Sequence, residues 1–554
     1  MDLSAKLSLN KPITPLQIFV AVLPFITGIF YEWQSALVAV VLLALLIIDI
    51  IRTKEIEVDL GFPLFFTFCV VICHMLTAIW AVDKGMVWMG VVKFLPLPLF
   101  VLAAARKDDL LRFVPHSGAL MTVLSVSLCW IDALKGHIIV SGRIGGFFEY
   151  PNAFAMFLLV CLILVLFKEK ITIVDWIFAV IYIAGIALSG SRTVMALTAV
   201  TAIVFIIWVK DKKIKIISLI AFVIAAAVAG VYLYNKLSSL MNGSTFYGRF
   251  LYYMDALPVI LKHPFGLGYY GYYYTQGEFQ TGVYSVVHIH NDLLQILLDI
   301  GWVPAILGIV MVVRAFIKAD FRAKIIMIMM ILHMLFDFDM QFISMSIIFL
   351  TVVISSSKPN LKKAPSYKAM VPLGISVPIV VPFAIVFGLA SFFNYIHDYE
   401  TAVKVYPSYT EAQKILLTNA QTDAEMGRIA DTILKHNPYY ALANDAKARV
   451  AFANGDVIGM MGYKESAIKY NKYTLSEYLD YFDMLYYATT LYAQNNDYTS
   501  AEYCIDRCIS LREDISKVEA GTSKLGMMID DKPDLTIPDQ YTEYIDLLQS
   551  LKTT

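Results

Sequence analysis

A succession of long apolar blocks governs what this chain can fold into. A helix that crosses a bilayer takes about 20 predominantly apolar residues. Blocks of that kind lie near 15–30, 34–51, 62–81, 86–104, 114–133, 150–167, 172–189, 193–209, 215–234, 291–313, 325–337, 342–357 and 370–395. The 554 residues are 58% hydrophobic and 16% charged, whereas soluble domains run at about 45–50% and about 25%. That departure excludes a soluble enzyme. The expected fold class is all-α: a polytopic membrane helix bundle of about 12–13 transmembrane helices, with a C-terminal soluble helical-repeat domain. The N-terminus does not read as a cleavable signal, because no small-residue cleavage site follows Ile18–Phe30 and apolar spans continue. The net charge of −1 gives no sign of a nucleic-acid partner, and none is expected.

The distribution of positive charge orients the spans. One set of loops carries Arg52, Lys54, Arg106, Lys107, Arg112, Lys168, Lys170, Lys210, Lys212, Lys213 and Lys215. It continues with Arg314, Lys318, Arg322, Lys324, Lys358, Lys362, Lys363 and Lys368. With Lys6 and Lys11 it holds about twenty cations, against about seven in the alternate loops, so the basic set is expected in the cytoplasm. The stretch Lys324–Lys358 is the point of decision. One helix there would reach roughly 50 Å, too long for a core of about 30 Å, so a hairpin turning at Asp337–Gln341 is expected. With the hairpin, everything after about residue 396 lies outside the cytoplasm. The membrane domain is then 1–396, with long extracytoplasmic loops at about 134–149 and 235–290, and 397–554 is an extracytoplasmic domain. A loop as long as the second is a functional candidate.

After Phe393 the composition turns to Tyr, Ala, Asp, Glu and Lys with helical spacing. Ala451-Phe-Ala-Asn-Gly-Asp456 is echoed by Leu491-Tyr-Ala-Gln-Asn-Asn-Asp-Tyr498, a spacing near 40 residues. Tetratricopeptide hairpins repeat at 34 residues. The region resembles a short, degenerate tetratricopeptide array, with a plain helical bundle as the alternative; either suits docking of a protein partner better than catalysis. Cys69, Cys73, Cys129 and Cys161 lie in apolar segments, and Cys504 and Cys508 are four apart in a helical stretch. All six read as packing residues.

Ionisable residues at membrane borders are costly and mark candidate sites. Arg192 follows Ser189-Gly-Ser at an outward span end. Arg249 opens a helix that runs into His263-Pro-Phe-Gly-Leu-Gly268. His288-Ile-His290-Asn291 marks re-entry into the membrane, where a metal pair competes with plain helix capping. Arg143 lies in Ser141-Gly-Arg-Ile-Gly-Gly146, ahead of Pro151-Asn152. His333, Asp337 and Asp339 sit on the hairpin, where Asp-x-Asp is a weak metal candidate. Tyr269, Tyr270, Tyr272, Tyr273 and Tyr274 form an aromatic run that suits a lipid interface or a sugar ring. Arginine forks suit diphosphate. There is no Walker loop, so the energy must come from an activated, membrane-held substrate.

In their order, these pieces resemble the O-antigen ligase/polymerase family from about Arg143 to Asp339: Arg143, Gly146, Pro151-Asn152, Ser191-Arg192, Arg249, His263-Pro264, His290-Asn291, Leu294-Gln295, Gly301 and His333 with Asp337. The tetratricopeptide-like tail is similar to an appendage on some members. The resemblance implies a metal-independent, inverting glycosyl transfer of the C class that uses no cofactor. The donor would be an oligosaccharide on undecaprenyl diphosphate in the lipid bilayer. The acceptor would be a hydroxyl on a glycan, a lipid or a protein. By resemblance, Arg192 and Arg249 hold the diphosphate and His290 is the third catalytic residue. Arg143, Asn291, Tyr269 and Tyr270 would bind substrate, with His333 and Asp337 as further candidates. Ligase, polymerase and protein O-oligosaccharyltransferase share this chemistry. A transporter or scaffold with a docking domain is the rival from another class; a transporter predicts inverted repeats and broken helices, and no such repeat is evident.

Overall fold

The computed structural model describes residues 12–105, 109–235, 244–357 and 359–553. Lys6, Lys11, Arg106, Lys107, Lys236 and Lys358, counted above in the charge distribution, lie outside these residues. The chain forms two compact units. The first comprises Met1–Leu76, Trp88–Asn242 and His290–Phe392, and the second Thr77–Val87, Gly243–Ile289 and Phe393–Thr554.

In the first unit, helix Pro151–Leu166 is at the centre. It is apolar on every side, and all its residues except Asn152 are buried, as an all-round apolar helix must be. Helices Val114–Leu128, Ile173–Ser189, Arg192–Trp208 and Phe321–Met334 pack around it. Outer helices instead display apolar faces: Ile177, Val180 and Ile183 on one, Ile375, Ile379 and Ile385 on Ser366–Tyr395. Stripes of that extent suit lipid rather than water. Among the described residues, Glu32–Thr53, Phe62–Ile79, Val87–Ala104 and Gly374–Tyr395 are long and apolar enough to cross a membrane. The all-α expectation stands; sheet among the described residues is confined to two antiparallel pairs of short strands.

Three local features set up the candidate site and the topology. The block expected as one span at 291–313 is two helices, Asp292–Ile300 and Trp302–Lys318, broken at Gly301. Gly301 has φ 83° and ψ −167°, a region that is essentially restricted to glycine. The stretch 325–357 is a hairpin: helix Phe321–Met334, a turn holding the short 3-10 segment Asp339–Gln341, and helix Ile343–Ser356 packed back on the first. Finally, strand Glu55–Asp59 pairs antiparallel with Leu361–Pro365, with Glu57 opposite Lys363.

The second unit is helical. Its C-terminal part contains two helix pairs, Ala441–Ala453 with Val457–Tyr470 and Leu475–Gln494 with Tyr498–Ala520. The echoed motifs build the same turn twice. Gly455 and Asn496 adopt positive φ, 76° and 63°, and the following aspartates cap the next helix: Asp456 accepts from the Gly459 N–H and Asp497 from the Ser500 N–H. Asn and Gly are the residues that tolerate this conformation, and Asp is a preferred N-cap. Cys504 and Cys508 are buried in this core. The segment expected as the second long loop forms helices Ser244–Lys262 and Gly271–Phe279 within the same unit. Asp255 accepts hydrogen bonds from the Thr281 N–H and hydroxyl, both 2.8 Å, and from the Tyr284 hydroxyl at 3.0 Å. Burial raises the Asp255 carboxyl above its ordinary range and lowers the Lys472 ammonium.

Candidate functional site

In the first unit, the hairpin turn and the start of helix Asp292–Ile300 are laced together. Asn291 is that helix's N-cap, accepting from the Leu294 N–H at 3.0 Å, while its amide donates to the Leu335 carbonyl at 3.0 Å. Asp292 accepts from the Met340 N–H at 3.1 and 3.2 Å. Of the two readings open for this motif, the capping one describes Asn291. The lacing brings Asp337 to His290, whose Nδ1 lies 3.4 Å from the carboxylate. His290 has φ 55°, a left-handed conformation that costs a non-glycine residue about 1–3 kcal/mol and collects at functional sites. Its ring meets the edge of Phe338 at 5.0 Å, and Phe338 stacks on Tyr150 at 4.8 Å.

Asp337 is 1% exposed and accepts from the Tyr150 hydroxyl at 2.7 Å, the Asn152 amide at 2.6 Å and the Phe338 N–H at 3.0 Å. Asn152 in turn accepts from Arg143 at 2.8 Å, and Arg143 donates to the Ser189 carbonyl at 2.7 Å. A continuous polar chain therefore runs Arg143, Asn152, Asp337, His290. Arg143 is set in it by a tight pairing of Ile139–Val140 with Arg143–Ile144. Tyr150 is a site residue that the sequence alone does not single out, and Asn152, named in the sequence as part of Pro151-Asn152, gains its role as the link to Asp337 only here. The signal is present in Pro151-Asn152, where proline fixes the helix start and leaves the asparagine at its first turn.

The other candidates stand apart from this chain. His333 is fully buried and pairs with Asp339. The two carboxylates of Asp-x-Asp thus have separate partners, Asp337 with Tyr150 and Asn152, Asp339 with His333. Among the described residues, no group of three or more His, Cys, Asp or Glu is arranged to hold a metal ion. Arg192 is exposed at the first position of helix Arg192–Trp208. A cation there opposes the positive end of the helix dipole unless an anion joins it. Arg249 belongs to the second unit, on helix Ser244–Lys262. Tyr269 and Tyr270 are also in that unit, stacked at 4.4 Å, with Tyr270 held at φ 63° and edge-on to His288. Beside helix Asp292–Ile300 the first unit has an apolar cavity of about 360 Å3, lined by Leu293, Ile296, Ile300, Phe66 and Met334 among others.

The fold and this chain of groups define a class: an integral membrane helix bundle with a His–Asp pair just ahead of a helix start, linked through Asn152 to Arg143. Residues 177–312 match the family model described as O-Antigen ligase. The matched stretch holds Arg192, Arg249, Tyr269, Tyr270, His290 and Asn291, while Arg143, Asn152, His333 and Asp337 lie outside it. The match supports a glycosyltransferase-type enzyme, a membrane glycan ligase or polymerase in general terms. No curated protein and no solved structure matches the chain.

Proposed function

We propose that this protein transfers an oligosaccharide from a polyprenyl-diphosphate donor to a hydroxyl acceptor on the outer face of the cytoplasmic membrane, as a cell-surface polysaccharide ligase or polymerase. The observation that carries the reading is that His290, in the segment that matches the O-antigen ligase model, lies beside Asp337. In the proposed step His290 takes the proton of the acceptor hydroxyl, with the Asp337 carboxylate stabilising the imidazolium. The acceptor oxygen attacks the anomeric carbon from the face opposite the leaving group. The carbon–oxygen bond to phosphate breaks and the polyprenyl diphosphate leaves with the electron pair, inverting the centre. Arg192 and Arg249 neutralise its growing charge without a metal. Arg143 holds Asn152, and so Asp337, in place. The apolar cavity by helix Asp292–Ile300 offers room for part of the donor's hydrocarbon chain.

The outward placement of the region after residue 396 is supported by the strand pair. Glu55–Asp59 and Leu361–Pro365 hydrogen-bond to each other, so their two loops share one side of any membrane. An even number of crossings must separate them. With the hairpin counted as two, ten of the expected spans lie between; as one helix the number would be odd. One further span, Ser366–Tyr395, then carries the chain to the opposite side. The repeated helix pairs with identical turn construction support a degenerate tetratricopeptide-like docking module. The test is to replace Arg192, Arg249 and His290 singly by alanine, verify normal insertion, and assay surface glycan in cells lacking the native copy. Loss in all three upholds the transfer site; wild-type glycan in all three refutes it and favours a scaffold or transporter.

A further inference from the structure

The second unit contains a cavity of about 220 Å3, formed where helix Gly271–Phe279 meets the turns before Ala441 and after Tyr470. Its depth depends on Gly277. A Cβ there would come within 1.8 Å of the Tyr470 carbonyl oxygen, so only glycine lets the helix and the turn approach this closely. Every residue lining the cavity is uncharged. Tyr273, Tyr440 and Tyr470 are half-buried and line it beside the fully buried Tyr274. These rings are locked to one another and to their surroundings: Tyr274 meets Tyr440 edge-on at 5.7 Å and donates to Glu411 at 2.7 Å, and Tyr470 meets Tyr439 edge-on at 5.5 Å. Between them lie the amides of Gln280 and Asn471. Gln280 is 7% exposed and lines the cavity.

We infer that this cavity is a subsite for one uncharged pyranose ring of a glycan. Fixed tyrosine faces suit the C–H face of a sugar ring. An amide offers a donor and an acceptor side by side, which is what vicinal hydroxyls require. The lining itself is uncharged and the Lys414 and Lys469 ammoniums over the Tyr273 and Tyr470 rings are paired with Glu411 and Glu278, which disfavours a phosphate or a uronate, and a volume of about 220 Å3 takes a single ring. That the ring belongs to a transferred glycan rests on the function proposed above; the binding itself does not.

The test uses the full chain in detergent micelles and three neutral probes: maltotriose, cellotriose and triacetylchitotriose, followed by saturation-transfer NMR. At least one is expected to bind. Tyr470→Ala and Gln280→Ala should weaken it tenfold or more. Ser285→Trp, at the exposed rim of the cavity, should block it without touching the core, which separates loss of the site from loss of folding. His290→Ala should bind as the wild type does even though transfer is lost. Absence of binding by all three probes to folded wild-type protein overturns the inference, as does binding that Ser285→Trp leaves unchanged. Capture of a proline-rich peptide at this cavity in place of any trisaccharide also overturns it. If binding stands while His290→Ala retains transfer, the transfer mechanism fails and the sugar subsite survives.

Discussion

Replacing Asp337 by asparagine is the sharpest perturbation of the polar chain, because geometry leaves the amide no satisfactory orientation. One carboxylate oxygen accepts from Tyr150 and the Phe338 N–H and faces His290; the other accepts from Asn152. An amide with its oxygen toward Tyr150 turns its NH2 against the Asn152 NH2. Asn152 can relieve that clash only by flipping, which would set its NH2 against the Arg143 guanidinium that its oxygen now accepts. Either way one buried donor goes unpaired, at about 1–3 kcal/mol. The charge beside His290 is lost as well. A positioned acid–base pair contributes about 10²–10⁴-fold to proton transfer, so Asp337→Asn is expected to reduce transfer by about 10²-fold or more. Asn152→Ala, which leaves the carboxylate in place but frees one of its oxygens, should cost less. The assay is surface glycan in cells lacking the native copy, normalised to inserted protein. If Asp337→Asn inserts normally and keeps wild-type glycan, the His290–Asp337 contact has no part in the chemistry.

Three further predictions concern the second unit. Lys464 is fully buried and bridges Asp445 and Glu477, so Lys464→Met takes the shared cation from the buried Asp445, which keeps Arg449, and from the partly buried Glu477; thermal melts should show a loss of about 3 kcal/mol, and an unchanged melt refutes the bridge. Burial raises the Asp83 carboxyl from 3.8 to about 6, so between those values the folded state holds a proton that the unfolded chain releases. Stability should therefore fall as pH rises through that window, by about 3 kcal/mol in all, and Asp83→Asn should flatten the slope in melts from pH 4 to 7. Gly277→Ala forces helix Gly271–Phe279 off the Tyr470 turn and should lower the melting temperature and abolish trisaccharide binding together; trisaccharide binding that survives shows that the close approach is not needed.

How much of the fold and site is legible in the sequence depends on the range of each signal. Apolar blocks are local, and each of the expected spans contains a helix. The hairpin is readable because a single helix from Lys324 to Lys358 is too long for the bilayer, a constraint that needs only residue counting. Gly301 is harder. Glycine is common inside membrane helices, and the one signal that it breaks the helix is Pro304, three residues on, whose missing N–H belongs in the first turn of a new helix. The Asp337–His290 contact joins residues far apart in the chain and depends on how the hairpin turn is tied to Asn291 and Asp292. Asp337 is therefore a candidate by type, not by partner. Tyr150 is hidden by its position, and Asn152 is legible as part of Pro151-Asn152 but not as a partner of Asp337, since a Pro-Asn helix start explains itself without a site. The grouping of Gly243–Ile289 with the C-terminal region is beyond the sequence for a related reason. Composition marks where membrane segments end, but it cannot say which of the polar segments fold together.

The hairpin turn matters beyond topology. A hairpin whose only task is to reverse the chain needs turn residues and little else. This turn instead makes three carboxyl-bearing contacts with its surroundings: Asp337 with Tyr150 and Asn152, Asp339 with His333, and the Met340 N–H with Asp292. Buried carboxylates are costly in a membrane bundle unless they are paired. Their concentration at one turn, facing a histidine in a strained backbone conformation, is therefore far more than a connector requires. It suits a rigid frame that fixes one imidazole against a carboxylate, as preorganised catalysis demands. If so, shortening the turn by deleting Phe338 should abolish transfer more completely than any substitution within the Arg143 hairpin, because it removes the frame and the Asp337 register at once. Equal loss from both changes would place the decisive constraint at Arg143 instead.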